Sequence, residues 1–146
     1  MTFDLQKYEE AQQKLFEGQR IESGYYGDQN AMNTQILMDS LKSGILIDPQ
    51  LVFDSGIDIQ HIDAQTGGML LHFAAAYGVR SIVRLIAKQS DTDFLVTDVR
   101  GRYPSALAYE AAQDFVLGRY LMMKEARQAD ADGVIMYGPN AGNIRI

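Results

Sequence analysis

Two histidines, one of them close to aspartates, are the residues of this sequence best suited to chemistry. His61 lies between Asp58 and Asp63, and His72 follows further along the chain. Imidazole and carboxylate groups together are typical ligands of zinc and related metals. A metal-dependent hydrolase built on Asp58, His61, Asp63 and His72 is therefore one hypothesis. These residues lack the spacing of a helical metal motif, and we favour an exposed loop position for His61.

Other catalytic patterns are missing from the sequence. The chain has no cysteine, which excludes thiolate nucleophiles, disulfides and cysteine zinc sites. The segment Asp130–Gly133 resembles the start of a calcium loop, but no glutamate follows at the required distance. The glycine-rich Gly138–Gly142 lacks the Lys-Ser/Thr pair of a phosphate loop. We expect no catalytic residue, no metal and no cofactor.

Composition limits the classes of partner. The chain has 146 residues, 47% of them apolar and 22% charged, which suits one domain with a real core. Its net charge of −6 and its dispersed Lys and Arg residues argue against nucleic-acid binding. No apolar run approaches the roughly 20 residues of a membrane span, and the first residues do not resemble a signal peptide. We expect an acidic cytoplasmic protein that binds neither nucleic acid nor membrane.

Helical periodicity organises most of the chain. It predicts an amphipathic helix from Asp4 to about Arg20, then a loop from Ser23 to Asp28. In the next helix, capped by Asn30 or Asn33 and ended by Gly44, the apolar side chains should face inward. These side chains are Ile36, Leu37, Met38 and Leu41. Further helices are predicted at Pro49 to about Asp54 after the cap Asp48, at Met69–Tyr77, at Ser81 to about Lys88, at Pro104–Ala112 and at Asp114 to about Arg127.

A two-helix unit recurs along the chain. Gly44, Gly78 and Ala112 each end a first helix, and the intervals 44 to 78 and 78 to 112 are both 34 residues. Regular periods of this length are typical of stacked repeats. Extended, β-branched segments at 57–63 and 94–98 precede Gly67 and Gly101. Each of them should form a hairpin-like projection between units.

The unit resembles an ankyrin repeat over about residues 33–127. Leu71–Gly78, which reads Leu-His-Phe-Ala-Ala-Ala-Tyr-Gly, resembles the centre of the family pattern, and Asp98–Pro104 resembles its opening. Met69 and Tyr103 stand where the family places a helix-capping threonine, a loss that typically costs about 0.5–2 kcal/mol. The resemblance implies an all-α, ankyrin-repeat-like helical solenoid with short hairpin projections. It divides the single domain into an N-terminal helical cap and loop (1–30), three repeats (31–130) and a C-terminal tail (131–146).

The same resemblance implies a function and assigns residues to it. In such repeats the histidine equivalent to His72 bonds neighbouring backbone, which makes it part of the scaffold. The concave face would bind a protein partner without enzymatic activity, as in an adaptor, an inhibitor or a toxin-neutralising protein. Its candidate residues are Lys42, Gln65, Phe73, Tyr77, Arg100, Arg102 and Glu110. For Phe73, the alternative is burial under the N-terminal elements. For the whole protein, a further alternative is a homodimer formed through the tail.

Overall fold

The described part of the chain in this computed structural model, residues 3–18, 28–45 and 47–133, is helical. It contains no strand, only an isolated antiparallel bridge between Ile62 and Met69. Its helices are α1 (Leu5–Gly18), α2 (Gln29–Ser43), α3 (Pro49–Ser55), α4 (Leu70–Tyr77), α5 (Arg80–Ala87), α6 (Pro104–Leu107) and α7 (Phe115–Ala131), with a π-helical turn, π1, at Ala108–Ala112. The all-α prediction is confirmed for these residues. None of the described helices is long and apolar enough to cross a membrane. Most of the loop expected from Ser23, and the tail after Gly133, lie outside the described residues.

The helices pack in consecutive pairs. We call the first member of each pair the inner helix (α2, α4, and α6 with π1) and the second member the outer helix (α3, α5 and α7). α2 packs on α3, α4 on α5, and α6 with π1 on α7. Across the pairs, α2 contacts α4 and α4 contacts α6 and π1, while α3 contacts α5. One continuous apolar core runs through these contacts, with Leu37, Leu70, Ile82, Leu107 and Leu121 almost completely buried.

Two details of α2 differ from the sequence prediction. The cap is Asp28, whose Oδ1 accepts the Asn30 backbone N–H at 3.0 Å. Asn33 instead donates from Nδ2 to the Gly56 carbonyl at 2.9 Å and so ties α2 to the end of α3. Ile36 was expected to face inward but is 50% exposed. The predicted end at Gly44, in a left-handed conformation, is confirmed.

The third unit contains one more residue than the second. Gly78 ends α4 with φ 71°, but the equivalent left-handed position is Gln113 with φ 53°, and not Ala112 as the 34-residue period predicts. Directly before Gln113, residues Ala108–Ala112 form the wider π-helical turn, which accommodates an inserted residue within a helix. The insertion therefore changes the turn and leaves α7 free to pack on α6.

The missing threonine caps have substitutes. At α4, the Met69 backbone N–H donates to Nδ1 of His72 at 3.1 Å. At α6, Glu125 reaches across from α7 and accepts the backbone N–H of Ser105 at 3.3 Å and its hydroxyl at 2.8 Å. Each inner helix start thus keeps a side-chain acceptor although neither Met69 nor Tyr103 can supply one.

The N-terminal helix α1 has an unusual backbone. Residues Gln6–Glu17 lie in the left-handed helical region, with φ between 45 and 67°. For L-residues this hand costs roughly 1–2 kcal/mol each.

Candidate functional site

His72 is fully buried and both of its ring nitrogens are engaged by backbone. Nδ1 accepts the Met69 N–H, so the proton resides on Nε2, which donates to the Arg102 carbonyl at 3.1 Å. Burial lowers the pKa of this imidazole to about 4, so it is neutral at pH 7. The ring links α4 to the loop before α6, and the predicted hydrogen bonding of His72 to backbone is confirmed.

His61 is buried, and the prediction that it is an exposed loop residue is wrong. It is 6% exposed, and its Nε2 lies 2.7 Å from Oε1 of Gln35. The Gln35 amide nitrogen in turn donates to Asp63 at 3.0 Å. This glutamine comes from α2, so the contact joins the first unit to the loop of the second, a long-range pairing that the local sequence around His61 does not reveal.

Asp63 forms the centre of the first inter-unit loop. Its Oδ2 accepts both the backbone N–H of Thr66 at 3.1 Å and its hydroxyl at 2.7 Å, while its Oδ1 lies 2.8 Å from Nζ of Lys42. Burial opposes ionisation, but the Lys42 ammonium and the hydrogen bonds from Thr66 and Gln35 outweigh it, so the pKa of Asp63 is lowered. The carboxylate therefore holds the loop closed as a charged group.

Asp98 has the equivalent position in the second inter-unit loop. Its Oδ1 accepts the backbone N–H groups of Arg100 at 2.9 Å and Arg102 at 3.0 Å. Its Oδ2 accepts Tyr8 at 2.5 Å and Gln12 at 2.9 Å, both from α1. Burial again opposes ionisation, and hydrogen bonds from Tyr8 and the Arg102 backbone lower the pKa of Asp98 overall. Both loops are thus closed by a buried aspartate at their first position.

The seven residues predicted to bind a partner lie along α2, α4, π1 and the two loops; we call them the inner surface. Lys42 connects its first members, with Nζ 3.2 Å from Oε1 of Gln65 and 5.3 Å from the Phe73 ring centre. Arg102 connects the last, with Nη1 3.5 Å from Glu110. Gln65, Arg100 and Glu110 are exposed.

The expectation that Phe73 points to the surface is wrong. It is 2% exposed and packs edge-on against the rings of Phe3 and Tyr8, with centroids 6.4 and 5.8 Å away. Tyr77 lies against Phe3 at 4.9 Å and stays half-buried. Burial, then the charge of Asp4, raises the pKa of the Tyr77 phenol. The N-terminal segment therefore covers the centre of the inner surface, as the alternative for Phe73 proposed.

Arg102 is also less available than expected. Its side chain is 16% exposed, with Nη1 3.2 Å from Glu9 and Nε 3.6 Å from Asp98. Arg100, by contrast, is exposed, and its Nε donates to Gln12 at 2.8 Å. The contacts with Glu9 and Gln12 both come from side chains of α1.

The residues of the hydrolase hypothesis do not form a free ligand set. Neither ring nitrogen of His72 is free for a metal, and Asp63 is committed to Thr66 and Lys42. Within the part of the chain that the structure describes, no group of three or more His, Asp or Glu side chains could hold a metal ion. Comparisons of the chain with protein-family models, with curated proteins and with solved structures gave no match.

Proposed function

We propose that this chain is an ankyrin-like repeat protein, without enzymatic activity, that binds another protein through the inner surface. The observation that carries the proposal is the equivalence of the two inter-unit loops. Asp63 and Asp98 each accept the backbone N–H groups that close a loop before an inner helix. The contacts of α2 with α4, of α4 with α6 and of α3 with α5 support a stack of such units.

The chemistry of the inner surface supports protein binding. The backbone of both loops is fixed by buried carboxylates, so side chains at the loop tips are presented in a set geometry at little entropic cost. Gln65 and Arg100 occupy these tips and are exposed, and Glu110 lies exposed on π1. Arginine is one of the residue types that dominate binding energy at protein interfaces.

The proposal is tested by capture from the native cell extract with the intact chain and with an Arg100→Ala, Gln65→Ala double variant. Both side chains are exposed, so the replacements should leave the fold intact. Loss of an interface arginine costs about 2 kcal/mol or more, so one partner retained by the intact chain should bind the variant at least about 30-fold more weakly.

A Lys88→Ala variant provides the matched control, because Lys88 is an exposed cation at the end of α5, away from the inner surface. It should retain the same partner. Equal capture by the intact chain and by the double variant, measured again with the purified partner by calorimetry, would contradict binding through the inner surface.

A further inference from the structure

A groove separates the two outer helices α5 and α7. Its volume is about 190 Å³, several times the about 30 Å³ that one water molecule occupies in the liquid. It is lined by Arg80, Val83, Arg84, Val116, Leu117 and Tyr120. This space is large enough to receive an apolar side chain.

The groove has an apolar floor and an apolar edge. Val83 and Leu117, which are 1% and 2% exposed, form the floor, and Val116 at the edge is 45% exposed. α5 packs mainly on α4, touches α3 more lightly, and approaches α7 still more loosely. Phe115, next to Val116, is 60% exposed. Exposed apolar side chains around a concave apolar site are typical of surfaces that bind other molecules.

The rim of the groove is basic, although the whole chain carries a charge of −6. Arg80 closes one end through a two-pronged ion pair with Asp114, at 2.8 and 2.7 Å. Arg84 and Lys124 flank Tyr120, and the Lys124 ammonium lies 5.5 Å from that ring. Within residues 28–45 and 47–133, neither Arg84 nor Lys124 lies within 4 Å of a carboxylate. The rim therefore favours a negatively charged occupant.

We propose that this groove binds an acidic peptide segment of another protein, which inserts one large apolar side chain between α5 and α7. The eight residues of α5 span about 12 Å, the length of roughly four extended residues. The chain's own tail fits less well, because Val134–Ile146 contains no aspartate or glutamate and has one arginine. The groove lies on the outer helices, so its occupant and that of the inner surface can bind independently.

The test is fluorescence anisotropy with the full chain and labelled hexapeptides. The probe carries leucine and phenylalanine at its centre and aspartate and glutamate on both sides. One comparison peptide has lysines for the acids, and the other has serines for the two apolar residues. We expect the first peptide to bind at least about tenfold more tightly than either comparison peptide. Salt should weaken this binding. Equal binding of all three peptides would overturn the proposal.

Variants locate the binding and identify the occupant. Arg84→Glu and Lys124→Glu should each weaken it about tenfold, since like charges then face each other. Arg119→Glu, on the side of α7 near Tyr109, and the Arg100→Ala change on the inner surface should leave the affinity unchanged. Loss of peptide binding in the Arg100→Ala variant would overturn the assignment to this groove. Unchanged peptide binding in the Arg84→Glu variant would overturn it as well.

Two other occupants give distinct results. If the tail fills the groove, an Ile135→Ser, Tyr137→Ser variant will bind the acidic peptide more tightly than the intact chain. If a second copy fills it, light scattering will detect a dimer that Arg84→Glu dissociates. We expect neither result. Either result would mean that the tail or a second copy, and not a peptide of another protein, occupies the groove.

Discussion

Glu125 is the side chain through which pH should act most directly on the stability of this protein. It lies on α7, is 2% exposed and contacts Ser105 at the start of α6. Burial raises its pKa from 4.5 to about 7, although the hydrogen bonds from Ser105 act in the opposite direction. We predict that a Glu125→Gln variant is more stable than the natural chain above pH 7, because it removes the buried charge.

The magnitude follows from proton linkage. A carboxyl group whose pKa is higher in the folded state gives full stability below pH 4.5, and this contribution is lost as pH rises through about 7. At 1.36 kcal/mol per pKa unit, the total loss is about 3 kcal/mol. The glutamine can still accept the Ser105 N–H and can donate to its hydroxyl. The stability difference between variant and natural chain should therefore grow by about 2.5 kcal/mol from pH 5 to pH 8.

The assay is urea unfolding at pH 5, 6, 7 and 8 for both chains. The useful quantity is the difference in free energy of unfolding between the two chains, because His72 adds a pH dependence of the opposite sign to both. Its pKa is lowered from 6.5 to about 4 by burial, so its contribution is lost as pH falls below 6.5. Asp130→Asn, an exposed acid on the same helix, is the control. A Glu125→Gln difference that stays constant across pH would refute the reasoning.

Three further changes test the scaffold. His72→Phe removes the acceptor and the donor that satisfy Met69 and Arg102, and should cost about 2–4 kcal/mol in urea unfolding; a loss under 1 kcal/mol would contradict the buried hydrogen bonds. Gln113→Gly should gain about 1 kcal/mol by relieving its left-handed φ of 53°, and no gain in melting temperature would count against that backbone. Asp63→Asn, which removes the buried carboxylate next to Lys42 and leaves its ammonium with the exposed Asp39 at 3.7 Å, should cost about 3 kcal/mol at pH 7. Its cost should shrink as pH falls from 3.8 toward the lowered pKa of Asp63; a constant cost would argue against the ion pair.

Helix ends were the part of the fold that the sequence predicts best, because they depend on local chemistry. The cap Asp48 followed by Pro49, and the left-handed Gly44 and Gly78, lie where the pattern predicts them. Asp28 was missed in favour of two nearby asparagines, since residues of both types cap helices equally well. Gln113 was missed because a π-helical turn adds a residue that a fixed period does not anticipate.

The candidate site was harder to predict from the sequence, because its contacts join residues far apart in the chain. Phe73 is expected to be exposed from its repeat position, and its contacts with Phe3 and Tyr8 reveal that it is covered. Burial of His61 depends on Gln35 from another unit. Nothing in the sequence indicates that Glu125 is buried, because a single glutamate in an amphipathic helix is ordinary. Asp63 and Asp98 lie 35 residues apart, before the two inter-unit glycines, so a repeat alignment that allows one inserted residue places them at equivalent positions.

We propose that His72 belongs to the scaffold and takes no part in chemistry. The most direct measurement is the nitrogen chemical shifts of its imidazole by NMR, recorded between pH 5 and 8 and then with added zinc. The claim predicts a neutral ring protonated on Nε2 throughout, because its pKa is lowered to about 4, and no response to zinc. Protonation near pH 6.5, or a zinc-dependent shift of either ring nitrogen, would contradict it.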